Sequence, residues 1–245
     1  MDAWPLPLWI AHRGAGRLAP ENTLAAFRLG ARHGYRAFEC DVQLSADEVP
    51  FLLHDTTLER TTNGRGVAGV RPWAELSRLD AGGWHGRPYA GEPPASLDAV
   101  AAFVHANGFA LDLEIKPTPG SERRTGEVVA RAAARLWPGD APTLLLSSFA
   151  PEALAAARAA APQLKRALLL DKLIDGAVGQ AQDLGCVALI TEHRLMSAEL
   201  LRGLHAAGLR ALVYTVNDAA DAEALIALGI DGIVTDAVDR FVPAR

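Results

Sequence analysis

From residue 96 onward, short apolar runs alternate with helical stretches rich in Ala and Leu. The runs are "FALDLEI", "TLLLSSF", "RALLL", "VALIT", "RALVYTV" and "DGIVTD"; between them lie "SERRTGEVVARAAARLW", "PEALAAARAAA", "KLIDGAVGQAQDLG", "SAELLRGLHAAG" and "DAADAEALIALG". Runs of Val, Ile and Leu without polar alternation suit parallel strands covered on both faces. The helical stretches also end as helices do. Gly185, Gly208 and Gly229 fall just past their ends, and Pro151 stands near a start. Toward the N-terminus, "LWIA" and "AFECDV" flank the helical stretch "PENTLAAFRLGARHG". These two strands and the six later ones make eight strand-then-helix units, which predicts a (β/α)8 TIM barrel. A doubly wound open sheet is the alternative, because alternation does not say whether the sheet closes.

One run does not fit the count. "VPFLLHD", residues 49–55, follows the second strand after a short turn, so it is either a hairpin partner or a counted strand whose helix is missing. Residues 56–95 then break the rhythm with many glycines and prolines and two tryptophans. So long a stretch inside a barrel predicts a small insertion or cap. With 245 residues, one barrel domain over 1–245 accounts for the chain.

The charge balance, 24 Lys and Arg against 29 Asp and Glu, leaves a net −5 with no basic tract. That excludes a sequence-independent grip on nucleic acid. The opening "MDAWPLPLWIA" carries an acid and two prolines in place of a basic leader, and its apolar run is too short to span a bilayer. A cytoplasmic protein without a membrane anchor is expected. Cys40 and Cys186 are far apart and form no CxxC pair, which reads as two reduced core thiols.

Chemistry concentrates at strand ends. In "AFECDVQL" a period of two places Glu39 and Asp41 on one face and Phe38, Cys40 and Val42 on the other. Carboxylates at this spacing, ~7 Å apart along the strand, need positive charge between them. Either a Lys or Arg supplies it, or a divalent cation does. In "LDLEIKP", Asp112, Glu114 and Lys116 share one face of another strand. Glu114 could complete an oxygen site suited to Mg²⁺ or Ca²⁺ and ill suited to zinc. Lys116 then stands at the strand's C-terminal end, where barrel active sites are built, or else pairs with one of the same carboxylates. Asp112, one step deeper, reads as structural. His12 closes "WIAHR" as His54 closes "PFLLHD", and two such histidines beside three such carboxylates point to a joint chemical role. His33, His85, His105, His193 and His205 lack such company and read as surface or packing residues.

The ordered set "AHRG", "PENT", "ECD", "HDTTLERTTNGRG", "LEIK", "SSF", "YTVN" and "DGIVTD" resembles the glycerophosphodiester phosphodiesterase family, over residues 11–236. The resemblance implies a catalytic barrel with a small insertion after the His-Asp motif. It implies a divalent metal on Glu39, Asp41 and Glu114, and His12 and His54 as the acid/base pair. Arg13 and Lys116 match positions expected to face phosphate oxygens, and Tyr214 stands where the family often has a tryptophan near the substrate. Asn22 and Asp55 match positions expected to orient the metal ligands or the histidines. The chain departs from the family pattern in "SADEVP", where many members have an Asp-Gly turn, and at Val238, where a proline is common.

The implied reaction is metal-dependent hydrolysis of glycerophosphodiesters, such as glycerophosphocholine or glycerophosphoethanolamine, to glycerol 3-phosphate and an alcohol. Two other readings stay open: a phospholipase-like enzyme acting on lipid, and a non-catalytic barrel that binds phosphodiesters. The sequence shows no exposed apolar loop or basic amphipathic helix for docking on a bilayer, which favours the water-soluble substrate. Trp73, Trp84 and Tyr89 of the insertion either wall the substrate or fasten the cap. Arg65, in "TTNGRG", is a further candidate phosphate contact.

Overall fold

In the computed structural model, which describes residue 4 and residues 6–139, 143–241 and 243, the first apolar run becomes strand β1 (Trp9–Ala11). Helix α1 (Leu24–Arg32) follows, then β2 (Ala37–Leu44) and the short strand β3 (Pro50–Leu52). Within the insertion lies the single-turn helix α2 (Trp73–Leu76), and α3 (Leu97–Asn107) follows it. The remainder is regular: β4 (Ala110–Ile115), α4 (Glu122–Leu136), β5 (Leu144–Ser148), α5 (Pro151–Ala160), β6 (Lys165–Leu170) and α6 (Ala177–Asp183). The chain ends on β7 (Ala188–Glu192), α7 (Ala198–Ala206), β8 (Arg210–Tyr214), α8 (Ala219–Leu228) and β9 (Gly232–Thr235). Residues 1–3 and 5 of the opening segment, which the expectation of no basic leader concerns, lie outside the described residues.

Closure depends on β1. Ala11 pairs in parallel with Phe38 of β2 on one side and Thr235 of β9 on the other, so the sheet returns on itself. Eight parallel strands form the barrel, and the open-sheet alternative is excluded. β3 is the ninth strand and pairs antiparallel to β2, with Val42 opposite Leu52. It is therefore the hairpin partner. Ser45 makes the turn: its hydroxyl donates to Asp47 Oδ1 (2.6 Å) and accepts from the Val49 amide (2.9 Å).

Period-two alternation sorts each strand between two cores. On β2, Phe38, Cys40 and Val42 pack outward among the helices, as do Leu111, Leu113 and Ile115 of β4. The barrel interior is filled at one end by Ile10, Ala37, Ala110, Leu145, Ala167 and Ile190, with their neighbours. Glu39 and Asp41 follow Ala37 at steps of two, and Asp112, Glu114 and Lys116 follow Ala110. The strands thus carry an apolar floor and a charged upper layer. Cys40 and Cys186 are buried and free.

Local caps set the helix ends. Thr23, Ser96 and Ser197 accept from the third amide onward, and Gly108 and Gly229 close α3 and α8 in left-handed conformation. One expectation shifts: "KLIDG" is an exposed loop, and the left-handed Gly176 (φ 76°) delays α6 to Ala177. Leu58, Ala68 and Leu76 of residues 56–95 form a small apolar cluster with Phe51 of β3 and Leu53, against which Trp73 packs, its ring 5.8 Å from that of Phe51.

Gly16 bears directly on the site. Its φ is +54°, and a Cβ there would come within 2.1 Å of the Asp236 carbonyl oxygen. Only glycine lets the loop after β1 pass this close to the loop after β9. Gly16→Ala is expected to cost ~2 kcal/mol or more of stability, since the clash is with backbone. Thermal unfolding monitored by circular dichroism checks it; an unchanged Tm would refute the close approach.

Candidate active site

The upper layer opens into a cavity of about 270 Å³ at the C-terminal end of the strands, lined by His12, Arg13, Glu39, His54, Glu114 and Lys116 together with Phe149 and Tyr214. Asp41, level with Glu114 in the sheet, is 1% exposed. Residues drawn from separate strands of the sequence therefore meet at one place, because β2 and β4 pair in register. Glu39 stands beside Asp112, and Asp41 beside Glu114.

Glu39, Asp41 and Glu114 each offer a carboxylate oxygen, and these atoms lie within 4.8 Å of one another. Positive side chains reach part of this cluster. Arg13 Nε lies 3.2 Å from Asp41, and Lys116 Nζ lies 3.3 Å from Asp41 and 3.2 Å from Glu114. Both alternatives for Lys116 are thus met in one geometry, at the strand end and paired. Burial raises the Asp41 carboxyl, but Arg13, Lys116 and His54 overcome it and hold the group down at about 2. Glu114 goes the other way: burial, with Asp41 next to it, pushes it up to about 8. Glu39 is driven well above the usual carboxylate range by burial, then by Asp41 and Glu114. Two carboxyls that resist ionising beside a third that is ionised show a cluster short of positive charge. Three oxygen donors in that condition fit a hard divalent cation, and the triad could hold one.

The two histidines are each tied at Nδ1. His12 meets Asp236 Oδ1 at 2.6 Å, and its Nε2 is 3.7 Å from Glu39. His54 meets Asp55 Oδ1 at 2.6 Å. Burial lowers the His54 pKa, with Arg13 and Lys116 pushing the same way against Asp41. Asp55 is held well below the usual range, first by Arg60 and then by His54. Asn22 grips Asp41 twice, its amide donating to Oδ2 (2.8 Å) and its carbonyl accepting the Asp41 N–H (3.1 Å). Arg13 and Asn22 both hold left-handed backbone (φ 49° and 60°), a strained state for residues with a Cβ.

Several residues of this site were not singled out from the sequence. Asp236 supports His12 and in turn accepts from Asn217 Nδ2 (3.1 Å). Arg60 forks between Asp55 (2.6 and 2.9 Å) and Glu21 (2.7 and 2.8 Å), and Glu21 also accepts from Arg13 (2.8 Å). One guanidinium of the insertion therefore bridges the His54 support and the Arg13 support. Their motifs, "YTVN", "DGIVTD", "PENT" and "LERTTNG", were visible, but no local pattern pairs residues so far apart. Asp112 accepts from the Ser147 hydroxyl (2.7 Å), and burial raises it to about 7. Arg65 is not among the cavity residues; its carbonyl accepts from Arg71 (2.9 Å). Trp73 serves as an anchor on Phe51, whereas Trp84 and His85 face a groove beside His12.

A profile of the Glycerophosphoryl diester phosphodiesterase family matches residues 12–240. The glycerophosphodiester phosphodiesterase of Caldanaerobacter subterraneus is 32% identical over 239 residues, covering 96% of each chain. Among solved structures, a phosphodiesterase of Oleispira antarctica, in complex with the product sn-glycerol-3-phosphate, is 35% identical with a TM-score of 0.90 over 96% of this chain and 95% of its own. The glycerophosphodiester phosphodiesterase of Agrobacterium tumefaciens is 28% identical with a TM-score of 0.79, over 96% and 98%. A closed barrel with acids and histidines gathered at its mouth, matched almost end to end, establishes that the chain belongs to the glycerophosphoryl diester phosphodiesterase family of enzymes.

Proposed function

We propose that the protein hydrolyses glycerophosphodiesters, glycerophosphocholine and glycerophosphoethanolamine among them, to glycerol 3-phosphate and an alcohol. The observation that carries this reading is the meeting of three buried carboxylate oxygens within 4.8 Å and two imidazoles, each bonded at Nδ1 to a carboxylate. Glu39, Asp41 and Glu114 would hold Mg²⁺ or Ca²⁺, which when bound supplies electrostatic stabilisation to a phosphoryl group gaining charge. Arg13 and Lys116 add fixed donors for non-bridging oxygens. With Nδ1 occupied, Nε2 of each ring is the atom left to exchange a proton. One histidine takes it from the attacking oxygen, and the other returns one to the departing alkoxide. Phe149 and Tyr214, edge to face at 5.8 Å, offer an apolar wall to the glycerol carbons.

The same reading places the enzyme in the cytoplasm acting on a small molecule. Two free buried thiols suit a reducing compartment, and no helix of the described residues is long and apolar enough to cross a membrane. One observation favours a second reading. Contrary to the expectation of no exposed apolar loop, Leu173 and Ile174 stand 48% and 38% exposed after β6, at the C-terminal end of that strand. That loop suits an acyl chain or a lipid surface. The test is turnover of glycerophosphocholine against phosphatidylcholine vesicles with added Mg²⁺ or Ca²⁺. Faster release from the soluble diester supports the proposal; faster release from vesicles replaces it with the lipid reading.

A further inference from the structure

A second cavity of about 320 Å³ shares His12 and Arg13 with the first and continues along Arg17, Arg60, Trp84 and His85. We infer that this groove receives the departing alcohol and selects polyols and anionic alcohols over quaternary ammonium groups. The inference rests on the phosphodiesterase reading above. A phosphodiester centred on His12 and Arg13 has two ester arms. The barrel cavity, with its acids and aromatic wall, takes the glycerol phosphate, so the groove takes the other arm.

The charge of the groove sets its preference. Arg13, Arg17 and Arg60 face two carboxylates, Glu21 and Asp236. Both oxygens of Glu21 are engaged, Oε1 by Arg13 and Arg60 and Oε2 by Arg60. Both oxygens of Asp236 are engaged too, Oδ1 by His12 and Oδ2 by Asn217. Both carboxylates of the groove are thus already paired, and three guanidiniums outnumber them. Arg17, in contrast, is 79% exposed, makes no side-chain hydrogen bond among the described residues, and lies 3.8 Å from its nearest acid, Asp236. Its fork is free to donate to hydroxyl or phosphate oxygens.

Trp84 supplies the second element. It is 43% exposed, yet its indole N–H is fixed on the Ala81 carbonyl (2.9 Å) and its ring stands edge to face with His85 at 5.5 Å. His85 Nε2 in turn meets the Arg17 carbonyl at 3.1 Å, which fastens the insertion to the loop after β1. A held indole face beside a free guanidinium matches a polyol, whose C–H face stacks while its hydroxyls accept. A trimethylammonium group would be drawn to the indole. It would do so within reach of Arg17 and Arg60, and those charges oppose it.

The test compares kcat/KM for glycerophosphoinositol, glycerophosphoglycerol, glycerophosphoethanolamine and glycerophosphocholine with saturating Mg²⁺ or Ca²⁺. The wild type is expected to favour the first two over glycerophosphocholine by about tenfold or more, the scale of one charge-assisted hydrogen bond. Arg17→Ala should shrink that ratio, mainly through KM, and Arg17→Glu should reverse it, while Trp84→Ala should raise KM for the two polyol diesters. Turnover without such a preference, or a ratio unmoved in both Arg17 variants, overturns the subsite and leaves the phosphodiesterase reading intact. Absence of turnover on all four diesters overturns both.

Discussion

His12→Ala and His54→Ala are each expected to lower kcat/KM on glycerophosphodiesters by ~10²–10⁴-fold while the barrel stays folded, the range for loss of a general acid or base. Neither ring belongs to an apolar core. Each sits at a strand end, half in the cavity, with its Nδ1 held by a carboxylate at 2.6 Å. Truncation therefore removes a proton carrier more than it removes packing. The two variants should differ in pH dependence. Burial and the charges of Arg13 and Lys116 keep the His54 pKa below its ordinary 6.5, and a bound cation would push the same way. The neutral ring is the one that accepts a proton, so the proposal gives His54 the base role and leaves the departing alkoxide to His12. In wild-type kcat/KM an acidic limb is then expected below pH 6.5, with activity rising as His54 loses its proton, and His54→Ala should remove that limb. Wild-type-like rates in both variants would sink the proton-transfer scheme. Asp236→Asn should act through His12, lowering kcat more than it raises KM.

Chelation with EDTA is expected to abolish turnover, and Mg²⁺ or Ca²⁺ to restore it. A second readout does not depend on activity. In the metal-free protein, Glu114 and Asp112 keep their protons up to about 8 and about 7, and Glu39 is raised as well, mainly through burial. Groups with folded pKa values above their unfolded ones stabilise the protein fully below the unfolded values, near 4. That contribution is lost as the pH climbs through the folded values. Asp41, held at about 2, has the opposite sign, but its contribution disappears only in stronger acid, outside this window. The metal-free Tm should therefore fall between about pH 5 and pH 8, at ~2–4 °C per kcal/mol for a chain of this size. The cation should raise Tm more at pH 8 than at pH 5, because it relieves repulsion among ionised carboxylates. Glu114→Gln should flatten the metal-free decline. An equal Tm gain at both pH values, or activity untouched by EDTA, would count against a cation on this triad.

How much of this was legible beforehand depends on how local each signal is. Glu39, Asp41 and Glu114 stand out because strand alternation puts them on the face opposite Phe38, Cys40, Leu111 and Leu113, and those apolar residues need the outer layer. The eight strands are legible for the same reason. Closure is not, since it rests on one pairing of Ala11 with Phe38 and another with Thr235. The role of β3 is equally hidden, as Ser45 and its turn decide between hairpin and crossover.

The sequence by itself determined the alternation of strand and helix, the faces on which acids and apolar groups fall, and the glycines and cap residues at helix ends. These are set by the fixed repeat of the backbone over neighbouring residues. Only the tertiary structure decided that Asp236 holds His12, that Arg60 joins Asp55 to Glu21, and that Arg17 and Trp84 share a groove with the site. Such contacts arise when the last strand closes on the first and the insertion folds back over the rim, and no short-range pattern encodes which side chains then meet.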